Sequence, residues 1–127
     1  MTRAVRGAIQ VAADSRDAIH AAGTRLARAV LEANGLAESD LVSLVFSLTA
    51  DLRSGNPATG LRGGGFADVP LFCVQEARVE GSMPRVIRLL ATFEAPASWA
   101  AAGRTRGEAV YLEGAHALRP DLSKGPA

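Results

Sequence analysis

The chain is poor in the residues that most often announce a chemistry. It has one cysteine, Cys73, two histidines, one tyrosine and one tryptophan, and only 5% of it is aromatic. A lone thiol excludes an intrachain disulfide and every multi-cysteine metal motif, and it fits a reducing, cytoplasmic setting. His20 and His116 are far apart and outside any metal-ligand spacing, so no metal is expected. An excess of charge is also lacking: 14 basic residues against 13 acidic leave +1, with no basic block to suit nucleic acid or a membrane surface. The longest apolar segment, 41–50, contains two serines and a threonine and cannot span a bilayer. Behind Arg3 and Arg6 the N-terminal apolar run is broken by Gln10 and closed by Asp14, too short for a signal peptide.

What remains is an ordinary globular composition, 48% hydrophobic and 21% charged over 127 residues. That length suits one domain, 1–127, with 123–127 expected as a frayed tail. Within it, residues 85–93 (RVIRLLATF) stand out as a buried strand bounded by Pro84 and Pro96, with Arg88 in its middle. A guanidinium cannot shed its proton, and burying it unpaired costs several kcal/mol, so the fold must supply an anion or keep it wet.

Four further strands and one long helix are expected around it. Residues 3–12 alternate, with Val5, Ile9 and Val11 on one face and Arg6, Ala8 and Gln10 on the other; Gly7 allows a close approach or a bulge. Asp14 or Ser15 caps a helix whose apolar positions run from Ile19 to Ala33, stopped by Gly35, with a charged outer face near which His20 lies. A second strand covers 41–49. Asn56 and Pro57 start a brief helix to about Arg62, followed by the Gly63-Gly64-Gly65 run, which lacks the Lys-Ser/Thr partner of a phosphate loop. A third strand is placed at 69–79 and, through the turn at 80–82, is paired as a hairpin with the Arg88 strand, bringing Glu76 toward Arg88. A short helix around Trp99 and a last strand over 109–118 complete an α+β chain: a mixed five-stranded sheet covered on one side by one long helix. Its second face is left bare, which favours a symmetric oligomer.

Arg6, Arg88, Tyr111 and Arg119 fall on or near the ends of different strands, and Cys73 and Glu76 on another. Arginine forks grip carboxylates in bidentate fashion, so their convergence would suit a small polyanion. The plainer alternative pairs Arg88 with Glu76 inside the fold and leaves the other arginines on the surface.

Six short motifs break the tie. Arg6-Gly7-Ala8, Thr49-Ala50-Asp51-Leu52, Cys73-Val74-Gln75-Glu76, Ile87-Arg88, Tyr111-Leu112-Glu113 and Leu118-Arg119-Pro120-Asp121-Leu122 resemble, in order and over nearly the whole chain, the monofunctional chorismate mutases of the AroH class, the Bacillus type. The resemblance implies a homotrimer whose sheets form a barrel-like core, with clefts between subunits. It also implies the Claisen rearrangement of chorismate to prephenate, on the route to phenylalanine and tyrosine, with no cofactor, metal or covalent intermediate. By it, Arg88 would meet the ether oxygen, Arg6 and Tyr111 a carboxylate, and Glu76 and Cys73 the ring hydroxyl. Leu118 and Arg119 would close the cleft, with Arg62 and Thr59 at its mouth. Asn56 and Thr59 stand where the family's typical member has an aromatic residue and a lysine, which implies weaker substrate affinity. The segment between Arg88 and Tyr111 is longer than in the family and is expected to be a surface loop. A trimeric sensor that holds a carboxylate metabolite without turning it over would use the same arginines.

Overall fold

Nine-residue strands rich in β-branched side chains take the centre of the sheet, and shorter ones take its edges. The computed structural model describes residues 1–119: β1 (Thr2–Gln10), α1 (Arg16–Asn34), β2 (Leu41–Leu48), α2 (Pro57–Gly63), β3 (Leu71–Gln75), β4 (Val86–Glu94), α3 (Ala97–Ala101) and β5 (Val110–Leu112), with 3-10 turns at Glu38–Asp40 and Glu113–Leu118. The order across the mixed sheet is β3-β2-β4-β1-β5. β4 is antiparallel to both β1 and β2, while β5 runs parallel to β1 and β3 parallel to β2. Pro120, Asp121, Leu122 and the tail at 123–127 lie outside the described residues.

The predicted hairpin between the third strand and the Arg88 strand does not form. β4, with Ile87, Leu89, Ala91 and Phe93 all buried on its covered face, takes the centre, between β1 and β2, and β3 lies on the outer side of β2. β3 is also shorter than 69–79, and the last strand is only Val110–Leu112, because the chain from Glu113 coils into a 3-10 turn.

One face of the sheet is sealed by α1. Ile87, Leu89, Ala91 and Phe93 of β4 are buried against a cluster that includes Ile19, Leu26 and Val30 of the helix; each large side chain so buried contributes roughly 1.5–3 kcal/mol. The Ser15 hydroxyl accepts the Ala18 N–H at the start of α1, and Gly35, at φ 61°, ends it in the left-handed conformation. Gly7 lets the helix lie close: a Cβ there would stand 3.1 Å from both Leu26 and Val30. The first of its two expected roles, close approach, is the one it plays. Gly23 does the same for α2, where an added Cβ would meet Pro57 at 2.5 Å.

The segment after β4 is docked, not a loose loop. Trp99 of α3 is buried edge-on to Phe93, with 5.3 Å between ring centroids, and its indole N–H donates to the Asn34 carbonyl at 2.8 Å. The Asn34 side chain, wholly buried, completes the junction with Arg104 and the Glu108 backbone. Alanine-rich composition hid this, since one tryptophan and one helix-terminal asparagine carry the contact.

Candidate active site

The other face carries the polar side chains. Cross-strand register sets a row Tyr111, Ala8, Arg88, Ser47, Val74 across the whole sheet, and a neighbouring row Arg6, Leu90, Val45, Phe72. Small residues, Ala8 and Ser47, flank Arg88 on both sides, which leaves room for its guanidinium to lie along the surface. A cavity of about 250 Å³ opens there, lined by Arg6, Arg88, Ser47 and Tyr111 among others.

Arg88 answers the question its strand posed by taking both routes. Its Nε donates to Glu76 Oε2 at 2.8 Å, and the other carboxylate oxygen accepts from the Ser47 hydroxyl at 3.3 Å. Glu76 reaches Arg88 across β2, not from a hairpin: its own N–H donates to the Leu48 carbonyl, just beyond the end of β3. The Arg88 side chain is still 42% exposed and that of Glu76 25%. Among the described residues, Nε is the only guanidinium nitrogen of Arg88 that is hydrogen bonded, and the residue lines the cavity. Arg6 is exposed two residues further along and makes no ion pair among the described residues. The Tyr111 ring packs on Ala8, Val86 and Ala115, with Leu118 partly buried against the same group. Arg119 is half-buried at the end of the 3-10 turn and is engaged in an interaction of its own.

Three predicted site residues are not brought into this group. Cys73 pairs in register with Phe46, and its side chain packs on the helix-covered core, on the face opposite Arg88. Within one protomer its thiol therefore does not share the open face with Glu76. Burial raises the pKa of that thiol above its ordinary value, as suits a side chain packed on apolar neighbours. The Cys73 amide is different. Leu44 donates to the Pro70 carbonyl and Glu76 to the Leu48 carbonyl, so by the parity of the parallel ladder the N–H groups of Leu71, Cys73 and Gln75 point off the free edge of β3.

Thr59 and Arg62 lie on α2, which packs against α1 and β3 on the covered side. They border their own cavity of about 440 Å³ together with Ala58 and Leu71. Arg62 donates to the carbonyls of Ala67 at 2.8 Å and Val69 at 3.3 Å, so it also holds the glycine-rich turn before β3. One protomer thus displays two separate groups: Arg88, Glu76, Arg6 and Tyr111 on the open face, and Thr59, Arg62 and the Cys73 amide around the β3 edge.

Two further side chains matter to the site and its surroundings. Ser47, the polar residue that interrupts an apolar strand opposite Arg88, was a legible signal. His20 was not: its Nε2 accepts the Asn56 N–H at 3.3 Å, and Gly55 and Gly60 press against its ring, so it buttresses the start of α2 instead of lying on the solvated face.

Among the described residues, no cluster of His, Cys, Asp or Glu could hold a metal ion, and no helix is long and apolar enough to cross a membrane. A family model described as chorismate mutase type I matches residues 2–122. Chorismate mutase AroH of Thermus thermophilus is 42% identical over 123 residues, 96% of this chain and 97% of that protein. Chorismate mutase AroH of Bacillus subtilis is 33% identical over 124 residues, 97% and 94% of the two chains. A solved chorismate mutase from Clostridium thermocellum superposes with a TM-score of 0.79 at 32% identity, covering 91% of this chain and 98% of that one.

Proposed function

The chain belongs to the chorismate mutase type I family, and from that premise we propose that Arg88 is its principal catalytic group and that each working site is shared between two copies of the chain. The reaction is the isomerisation of chorismate to prephenate in aromatic amino acid biosynthesis, and the relatives give no support to a non-catalytic sensor.

In that rearrangement the breaking C–O bond leaves negative charge on the ether oxygen. A fixed guanidinium beside it interacts more strongly with the transition state than with the ground state, which is what lowers a barrier. Glu76 holds Arg88 through Nε and so leaves the terminal N–H groups available to a substrate before it arrives. Arg6 and the Tyr111 hydroxyl take a substrate carboxylate. Glu76 remains ionised and accepts from the ring hydroxyl, and the Cys73 amide donates to it, so the compact conformer is held by orientation. Leu118 and Arg119 close the same side.

Thr59, Arg62 and the Cys73 edge come from the neighbouring copy, because in one protomer they stand on the other side of the sheet. A homotrimer with open faces turned inward into a barrel-like core would also cover Phe72, 65% exposed, and Leu90, 43% exposed, which otherwise form an apolar patch in water. Cytoplasmic residence follows from the same reading. The free thiol fits it.

The observation that carries the proposal is an arginine braced by its own carboxylate with its remaining donors unspent. The test is complementation. Arg88→Ala and Arg62→Glu should each deplete chorismate, followed by its ultraviolet absorbance, far more slowly than the native enzyme. Co-assembled in equal amounts, they should regain activity at about a quarter of the sites, those built from the two intact halves of a symmetric ring. Mixed assemblies that form but recover nothing would place the whole site within one chain.

A further inference from the structure

The motif Thr49-Ala50-Asp51-Leu52 has no part in the chemistry above, yet it meets the strand of Arg88 at its first residue. Arg85, immediately before β4, is not a glycine and holds φ at 53°. A side chain in the left-handed region costs on the order of 1–2 kcal/mol and persists only where neighbours enforce it.

The neighbours are specific. Both oxygens of Asp51 accept the Arg85 N–H, at 3.1 and 3.0 Å. The Thr49 hydroxyl donates to Asp51 Oδ1 at 2.6 Å and accepts the Val86 N–H at 3.0 Å, while the Thr49 N–H donates to the Val86 carbonyl. On the other flank, the Arg85 carbonyl accepts from the Val11 N–H at 2.7 Å, and Arg85 Nε donates to the Val11 carbonyl at 2.9 Å. Residue 85 is therefore pinned to the ends of both β1 and β2, three residues upstream of Arg88. A slip of one residue here would turn Arg88 to the covered face.

We propose that Asp51 is a positioning residue for the mutase reaction: braced by the Thr49 hydroxyl, it holds Arg85 in its left-handed conformation and so fixes where the Arg88 guanidinium stands relative to Glu76. This rests on the assignment of Arg88 as the catalytic group. By this proposal Asp51 acts on the reaction only through Arg85 and the strand that follows it.

The test is a kinetic cycle on the whole assembled protein. Asp51→Ala should lower kcat by about tenfold or more with KM changed by less than about twofold, the split expected when a group acts only in the transition state. In an Arg88→Ala background the same substitution should change kcat by less than about twofold, since a residue acting through Arg88 has nothing left to position. Arg85→Gly, which removes the Cβ penalty, should recover about threefold or more of the kcat lost by Asp51→Ala. Should Asp51→Ala fail to assemble, Thr49→Val decides, with an expected loss of about threefold in kcat. Independent, additive losses in the cycle, or native kcat in both Asp51→Ala and Thr49→Val, would overturn the proposal while leaving Arg88 in place. An Arg88→Ala protein with native activity would instead overturn the assignment on which it rests.

Discussion

Two of the polar clusters among the described residues are built on opposite plans. At the end of α1, the Asn34 amide donates to the carbonyls of Val30 and Glu108, at 2.8 and 3.1 Å, and its oxygen accepts from Arg104 and from the Glu108 N–H, at 2.9 and 2.7 Å. Every hydrogen-bonding capacity of that side chain is used, and Arg104 also lies 4.5 Å over the Trp99 ring. On the open face of the sheet, Arg88 uses one of its five N–H groups on Glu76 and leaves the rest without a hydrogen-bond partner among the described residues. A saturated cluster holds a structure together and can do nothing else. An unsaturated one, oriented by a partner and left partly wet, is equipped to receive charge from outside.

The contrast predicts opposite failures. Arg88→Ala should reduce kcat by about a hundredfold or more, a loss of at least about 3 kcal/mol of barrier lowering, as for removal of one preorganised donor. Its thermal stability should change little, because the side chain is partly exposed and Glu76 can turn to water. Arg88→Lys keeps the charge but loses the fork, and should rescue little. A folded Arg88→Ala protein with native kcat would abolish the distinction between the two clusters.

Asn34→Ala is expected to do the reverse. Deleting the amide leaves the Glu108 backbone N–H and carbonyl unpaired in a part-buried junction and takes one acceptor from Arg104, at a cost of about 2–3 kcal/mol measured by urea unfolding. The kcat of the protein that remains folded should be native, since nothing at Asn34 reaches the open face. A fall in kcat without a fall in stability would show that the two clusters communicate.

How far each cluster could be read in the sequence follows from the same difference. Arg88 was legible because a cation inside an apolar strand violates a local pattern, and Ser15, Gly35, Asn56 and Pro57 were legible because caps act on their own neighbours. Glu76 meets Arg88 by a route that adjacency in sequence does not give: β4 takes the centre of the sheet between β1 and β2, and the partnership holds because β3 and β4 share β2. The face of Cys73 was legible from strand alternation, which sets it opposite Phe72, Val74 and Glu76, as the ladder with β2 also has it. Asn34 and Trp99 lay beyond reach. Their contact spans 65 residues, and an asparagine at a helix end ordinarily looks like surface.

A third cluster tests how much of this is burial and how much is bonding. The Asp14 carboxylate, just before α1, accepts the N–H groups of Arg53 and Ser54 through Oδ1, both at 2.9 Å, and so ties the chain after β2 to the start of the helix. Those backbone donors hold its pKa below the ordinary 3.8. With the folded value depressed, the unfolded chain binds the proton more readily, so the contribution to stability is present above the ordinary value and is lost as pH falls through the depressed one. Asp14→Asn keeps an oxygen acceptor and removes only the charge. Its stability relative to the native chain, measured by urea unfolding across an acid series, should be lower by a small constant amount at neutral pH, and that gap should close at the acid end of the series. Because this cluster stands in water, the gap should be well below the loss from Asn34→Ala. A gap that persists at the lowest pH would mean that the side chain acts through shape and not through its charge, which would move Asp14 into the same class as Asn34.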